Sequence, residues 1–385
     1  MIQDPLAIVA VLFAVICFSL FMVKRFKWAE RLSPILWILF VGALCSNTGL
    51  IPTSAPIYGQ LIDVSVPFAV CVILLSVSLK DLSKAGAPML AAFALATVGT
   101  VLGVAIASLT LDSALATIMG DDAWKLAGPY TGTYIGGSLN FFSLWTGLGI
   151  DDPDLLAAAN AVDNITIFPL YMFWMIIPAT LAERYVVAKR WRSSGADTSA
   201  YAEKKEAPFK VFNIALLIFL GFTIMAVSGW VKDVLINPIF PELPSILIVT
   251  TFALILAQIP AVRNLKGGWE LGDLVFYVFF AAVGALMDFY LAVILSPILF
   301  AYVVIVMIVH LVFVYGIGWM AKMDLGVLTI ASVATKAGPA MVPPVAETKE
   351  WRHLILPGIL IALLGYAAGN YIGFAVAKVM EVILG

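Results

Sequence analysis

Charged side chains are scarce in this sequence. Of its 385 residues only 12% are Asp, Glu, Lys or Arg, whereas 62% are hydrophobic and the mean hydropathy is +1.04. A soluble domain carries about a quarter charged residues, so this composition excludes an ordinary water-soluble fold. The formal net charge of -2 excludes a strongly basic surface, and we therefore expect no nucleic-acid partner.

Cysteine and histidine are also rare, which limits the chemistry. The three cysteines, Cys17, Cys45 and Cys71, lie inside apolar runs without metal-ligand spacing. The two histidines, His310 and His353, have no second ligand type beside them. An intramembrane enzyme needs a nucleophile–base pair or metal ligands, so we expect no enzyme. No ATP-binding motif is present either, which leaves direct ATP-driven pumping unsupported.

Long apolar runs fill the sequence instead, at roughly the 20 residues that a transmembrane helix needs. They indicate an all-α, multi-pass protein of the inner (plasma) membrane, with the lipid bilayer as its surroundings. Twelve segments are counted: 5–23, 34–51, 61–79, 86–110, 125–148, 155–181, 209–229, 243–258, 272–292, 297–320, 325–347 and 354–383.

Two segments, 125–148 and 325–347, cannot be unbroken helices, because their Gly pairs and prolines interrupt the helical hydrogen bonds. If both are re-entrant hairpins, every basic cluster lies on one side of the membrane, as the positive-inside rule requires. We therefore prefer ten full spans plus two re-entrant segments. Broken helices that cross the membrane fully stay open as an alternative.

The two halves of the chain resemble each other. Leu61-Ile62-Asp63 recurs as Leu271-Gly272-Asp273, and Gly136-Gly137 matches Ala337-Gly338. The preferred topology makes the repeats inverted, which points to a secondary transporter with its site at the broken helices. We predict a first repeat at 1–181, a basic cytoplasmic linker at 182–208 and a second repeat at 209–385.

Segment six carries the candidate cation or proton site. Asn160, Asp163 and Asn164 share one helical face about two turns into a span. An intramembrane carboxylate costs at least ~2.5 kcal/mol on insertion scales and usually marks an ion path. The carboxylate and amide oxygens suit Na⁺ or a proton, and no cofactor is expected beyond such a Na⁺. The alternative is a buried Asp163 that a neighbouring helix satisfies.

The two breaks supply candidate substrate groups, because half-helix ends there expose backbone N–H and C=O groups to a cavity. Structural kinks packed against each other are the alternative. The candidates in the first break are Thr131, Thr133, Gly136, Gly137, Ser138 and Asn140, and those in the second are Thr335, Gly338 and Pro339.

Lys336 stands at the second break and is grouped with the cation or proton site. It could pair with Asp163, bind a substrate carboxylate or replace a bound cation. If the break lies near the membrane surface, it is instead a lysine that snorkels to the interface.

The runs Gly132-Thr-Tyr-Ile-Gly-Gly-Ser-Leu-Asn140 and Leu356-Pro-Gly358 through Gly365-Tyr-Ala-Ala-Gly369 resemble the membrane family named "domain of unknown function 819". That family looks related to sodium/glutamate symporters and more distantly to cation/proton antiporters. The resemblance implies a scaffold domain, often dimeric, and a core domain with an elevator motion. It also implies that Asp163, on the helix after the first break, is the essential carboxylate. Lys336 departs from the pattern and raises the chance of proton coupling.

These observations predict a secondary transporter that couples Na⁺ or H⁺ to a small anionic organic solute, as a homodimer. Segments three to six and nine to twelve are expected to form the moving core, and the other four the scaffold. Gly365, Gly369 and Gly373 are expected to form a close-packing helix face. A non-transporting receptor or assembly factor on the same fold is the alternative, which a permanent Lys336–Asp163 pair would favour.

Overall fold

The computed structural model describes residues 2–26, 29, 34–176, 210–349 and 351–385. The regular secondary structure of these residues is helical, with no strand among them. The predicted linker at 182–208 lies outside the described residues. The helices are α1 (Pro5–Arg25), α2 (Pro34–Asn47), α3 (Pro56–Leu74), α4 (Ala87–Met119), α5 (Ala127–Gly136), α6 (Ser138–Gly147), α7 (Pro153–Ile176), α8 (Val211–Val231), α9 (Ser245–Leu256), α10 (Gly268–Leu286), α11 (Phe289–Met320), α12 (Leu325–Ala337), α13 (Val342–Thr348) and α14 (Ile355–Leu384).

Seven helical segments are long and apolar enough to cross a membrane, namely those containing α1, α3, α4, α8, α10, α11 and α14. The helices α2 and α9 are apolar but have only 14 and 12 residues. The helix α7 has 24 residues and carries Asp163 in its interior. The chain is therefore a multi-pass membrane protein, and seven of the ten predicted full spans meet the length and hydropathy that a span requires.

The first broken segment is a hairpin rather than a kinked span. Gly128 of α5 lies against Leu148, and Gly132 lies against Leu144 and Asn140 of α6, so the chain returns along its own path. In the second segment Gly326, at the start of α12, lies against Trp351 beyond the end of α13. Both segments therefore turn back on themselves, and whether they re-enter from one side of the membrane stays a prediction.

The helices pack as two sets. In one set α3 and α10 lie against each other, with α8 and α9 on α3 and with α1 and α2 on α10. In the other set α4 packs on α11, α5 on α14, and α7 on α11. The predicted assignment of segments three and nine to the core is therefore wrong: their large apolar faces, α3 and α10, are buried against α1, α2, α8 and α9.

The glycine face of α14 is confirmed, and its partner is the first hairpin. Gly365 lies on Ile135 and Gly136, Gly369 on Gly132, and Gly373 on Gly128. Small residues let two helix backbones approach closely, which is how membrane helices gain packing energy without a hydrophobic driving force between them. This contact fixes α5, and with it the tip at Gly137, against α14.

Candidate functional site

The two hairpin tips have the same backbone conformation. Gly137 has φ 77° and ψ -176°, and Gly338 has φ 72° and ψ -174°. This region of backbone space is essentially restricted to glycine. The sequence match between the two breaks therefore corresponds to one local geometry used twice, and each tip ends one helix and begins another element within a single residue.

Both tips open on one cavity of about 330 Å³ that lies between the two sets of helices. Helices α2, α3 and α10 form one wall, and the tips with α7 form the other. The predicted site residues that line the cavity are Gly137, Ser138, Asp163, Asn164, Lys336 and Gly338. Residues about 200 positions apart in the sequence thus meet in one space.

The remaining predicted residues lie behind this wall. Gly136 packs against α14, and the Asn140 amide Nδ2 donates to the backbone oxygen of Tyr366 at 3.1 Å. The residues buried in helix packing, away from the cavity wall, are Thr131, Thr133, Asn140, Asn160 and Thr335. Pro339 begins the short helical turn after the second tip.

Asp163 presents a carboxylate oxygen with no fixed partner. Its Oδ1 atom is buried, and no described residue donates a hydrogen bond to it. Beside it, the Asn164 Nδ2 donates to the Asn160 backbone oxygen at 2.8 Å and to the Asn160 Oδ1 at 3.2 Å. Buried polar atoms are normally paired, so an orphaned carboxylate oxygen at a cavity wall is suited to a proton or a hard cation such as Na⁺.

Lys336 is buried, with 4% of its surface exposed, and is therefore no snorkelling lysine in this conformation. Its ammonium donates to the Thr100 hydroxyl at 3.2 Å and lies 4.2 Å from the centroid of the Tyr134 ring. Among the described residues no ion pair within 4.0 Å joins Lys336 to Asp163. An ammonium group has three protons, so the contact with Thr100 leaves two for other acceptors.

A buried polar chain holds the Thr100 hydroxyl in place. The Thr100 hydroxyl donates to the Tyr134 backbone oxygen at 3.2 Å, and its oxygen lies 3.1 Å from Nδ1 of His310. The other ring nitrogen of His310 lies 2.9 Å from the Ser332 hydroxyl, one helical turn before Lys336. The chain of contacts therefore returns to α12, the helix that carries Lys336.

The sequence reasoning missed Tyr366 of α14. Its side chain lies against both tips: a Cβ on Gly338 would lie 3.1 Å from its hydroxyl, and one on Gly137 would lie 3.4 Å from its ring. The ring is 5.6 Å from that of Trp269 on α10. The available signal was its place between Gly365 and Gly369, next to the glycine face of α14.

Asp273, which the sequence analysis named only in the match between the two halves, also lines the cavity from the α10 side. Three charged residues therefore face this space among the residues that the structure describes: Asp163, Asp273 and Lys336. No group of three or more His, Cys, Asp or Glu residues suited to a metal ion occurs in the described ranges.

These features define the class: the chain is a membrane protein in which two hairpins, each broken at a glycine, surround one charged cavity. The chain matches the family model "Protein of unknown function (DUF819)" over residues 10–383 and belongs to that family. It is similar to the "Uncharacterized membrane protein YjcL" of Bacillus subtilis (strain 168), with 28% identity over 364 residues that cover 91% of this chain and 90% of that protein.

Proposed function

We propose that this protein is a secondary active transporter of the plasma membrane, which couples Na⁺ or H⁺ to the movement of a small organic anion. One observation carries the proposal: a single cavity brings together both glycine-broken tips, Asp163 and Lys336. Broken helices in corresponding positions of two repeats are the arrangement that transporters use for their binding sites.

The two halves are proposed to be inverted repeats. Six elements follow in the same order in each half, since α1 to α7 correspond to α8 to α14 with α5–α6 and α12–α13 as the hairpins. The set with α3 and α10 would be the scaffold and the homodimer contact, and the set with both hairpins would be the moving core. Movement of the core against the scaffold would then carry the cavity at their boundary from one side of the membrane to the other.

The charges explain how coupling would work. A cation or proton on Asp163 removes a negative potential that repels an incoming anion, and an anion beside Lys336 removes a positive potential that repels the cation. Each ligand therefore strengthens the binding of the other, which favours symport. The coupling is reciprocal. We therefore expect the factor by which Na⁺ or H⁺ raises the affinity for the anion to equal the factor by which the anion raises the affinity for the cation. Equal anion affinity at every Na⁺ concentration and pH would refute coupling.

The first test is thermal unfolding of the detergent-purified protein in Na⁺ or K⁺ at several pH values. A ligand that binds only the folded state stabilises it by about 2.7 kcal/mol at a concentration of 100 Kd. We expect a Na⁺-specific or pH-dependent rise of the unfolding midpoint in the wild type and its loss in Asp163→Asn. The matched control is Asp63→Asn, on an exposed part of α3.

A permanent pair between Lys336 and Asp163 would favour the alternative of a non-transporting receptor or assembly factor. The two groups are not within ion-pair distance, and Lys336 is held by Thr100 and Tyr134 instead. This arrangement leaves the Oδ1 atom of Asp163 unpaired among the described residues and counts against the alternative. A response to Na⁺ or pH that is unchanged in Asp163→Asn would place the cation elsewhere.

A further inference from the structure

A second, apolar groove lies between the two sets of helices and shares no lining residue with the charged cavity. Its volume is about 460 Å³, with α2 on one side and with α7 and the first turns of α11 on the other. Trp37 and Ser296 carry the polar side-chain atoms of the described lining. The Trp37 indole nitrogen donates to the Ala29 backbone oxygen at 3.1 Å, and the Ser296 hydroxyl donates to the Ala292 backbone oxygen at 2.8 Å. The described lining therefore offers apolar surface, without a charge or a spare side-chain donor.

Small side chains on α7 leave this space open. Ala157, Ala158 and Ala161 line the groove, and the first two have only 3% and 1% of their surface exposed. Large apolar side chains lie at the rim instead, where Phe40 is 43% exposed and Ile165 is 57% exposed. Exposed apolar side chains around an apolar groove are typical of a surface that contacts lipid. We therefore infer that the groove opens sideways, toward the hydrocarbon of the bilayer.

The depth of the groove matches one leaflet of the bilayer. A polar layer joins the helices at one end, where the Asp154 carboxylate accepts from the backbone of Asp288 and the Asn47 amide donates to the backbone just before α11 at 3.0 Å. The groove extends to Leu36 on α2 and Ile165 on α7, about 11 residues from this layer and thus about 16 Å along each helix. The hydrocarbon core of a bilayer is about 30 Å thick. With the polar layer at the membrane surface, the groove ends near the middle of the membrane.

The volume decides which apolar occupant fits. A water molecule has a share of about 30 Å³ in the liquid, and at roughly that share per non-hydrogen atom the groove holds about 15 carbons. A helix of a second copy is about 10 Å across with its side chains, so about 16 Å of it would need about 1,200 Å³. A linear chain of about 15 carbons fits both the volume and the depth, as the acyl chain of a phospholipid does.

We propose that this groove binds one acyl chain of a membrane phospholipid. The chain packs against α2 on one side and against α7 and α11 on the other, so it fills a gap between the two sets of helices. Lipid tails are as apolar as these side chains, so the gain over bulk lipid comes from close packing in a space that would otherwise stay empty. This site goes beyond the proposed function and does not rest on it, because no residue of the charged cavity takes part.

The first test is the unfolding midpoint of the delipidated wild type in micelles, with added phosphatidylcholines that differ only in the length of their acyl chains. Chains of about 14 to 16 carbons should raise the midpoint most, because they fill the groove, and chains of about 8 carbons should raise it little. Phosphatidylglycerol with the same chains should act alike, because the described lining has no charge that distinguishes head groups. A midpoint that ignores chain length, or that follows only the charge of the head group, would overturn the proposal.

The second test locates the site with Ala161→Leu, which places a larger side chain in the groove. Native mass spectrometry of the intact protein counts the bound phospholipids. We expect one retained phospholipid per chain in the wild type and at least about tenfold weaker binding in Ala161→Leu, because the leucine takes up space that the acyl chain needs. The matched control is Ala94→Leu, the same change at an exposed position of α4, which should bind lipid as the wild type does.

Every outcome of the second test decides for or against the groove. Equal lipid binding in Ala161→Leu and the wild type, or equal losses in Ala161→Leu and Ala94→Leu, would overturn the site. A loss of dimers in Ala161→Leu with unchanged lipid binding would assign the groove to side chains of a second copy and would overturn the proposal as well. The chain-length series uses only the wild type, so it tests the proposal whether or not a variant folds.

Discussion

Gly373→Ala tests whether the contact between α14 and the first hairpin is as close as the structure indicates. A Cβ at Gly373 would lie 2.7 Å from the backbone oxygen of Gly128 and 3.2 Å from the backbone nitrogen of Gly132. Carbon–oxygen contacts are normally no shorter than about 3.3 Å, so the two helices must separate by about 0.6 Å. These two atoms belong to the backbone and cannot rotate away, and the Cβ would also meet the Leu144 side chain.

The expected change in the free energy of unfolding is the sum of two opposing contributions. Inserting an extra methyl group into a close-packed contact costs about 1–3 kcal/mol. Replacing glycine by alanine within a helix stabilises the helix by about 1 kcal/mol, because alanine loses less backbone entropy on folding. We therefore expect Gly373→Ala to lower the free energy of unfolding by up to about 2 kcal/mol. It should also weaken ligand binding, because α5 carries the tip at Gly137.

The matched control is Gly316→Ala in α11, where an added Cβ meets no atom within 4 Å. Both variants gain the same backbone contribution, so the difference between their unfolding free energies isolates the packing strain and should be about 1–3 kcal/mol. The assay is equilibrium unfolding of the two variants and the wild type in mixed micelles. Equal stability of the two variants would show that α14 and α5 are not in backbone contact.

Two further results are expected. Thr100→Val removes the acceptor that fixes Lys336. It should weaken anion binding about tenfold, while the Na⁺ or pH response at Asp163 persists. An unchanged anion affinity would show that Thr100 does not position the lysine. Cysteines placed at Asp122 and Asp151, on either side of the first hairpin, should both react with a membrane-impermeant maleimide from the same side of the membrane. Labelling from opposite sides would contradict the re-entrant hairpin.

The sequence predicted the tips because their chemistry is local. Glycine at positions 137 and 338 tolerates a positive φ that other residues rarely adopt, so the breaks are visible in the residues themselves. Asp163 and Lys336 were likewise visible, because an ionisable residue inside an apolar run is rare whatever its surroundings. Their meeting in one cavity followed from the match between the two halves.

The rest of the site depends on packing that no local pattern encodes. Tyr366 and Trp269 are ordinary aromatic residues in apolar helices, and only the crossing of α14 with both tips makes them walls of the cavity. The assignment of α3 and α10 to the same helix set as the hairpins was wrong for the same reason. Uniformly apolar helices carry no periodic signal that distinguishes one partner from another within a membrane.

The glycine contact between α5 and α14 also orders the assembly of the protein in time. Residues 128–136 are synthesised more than 200 positions before residues 365–373, their partners. A nascent chain released after the first half would hold its hairpin with a glycine face turned to lipid and backbone groups that no neighbour covers. Helix α14 thus completes a hairpin that is synthesised long before it, and loss of α14 would damage the first half of the fold as much as the second.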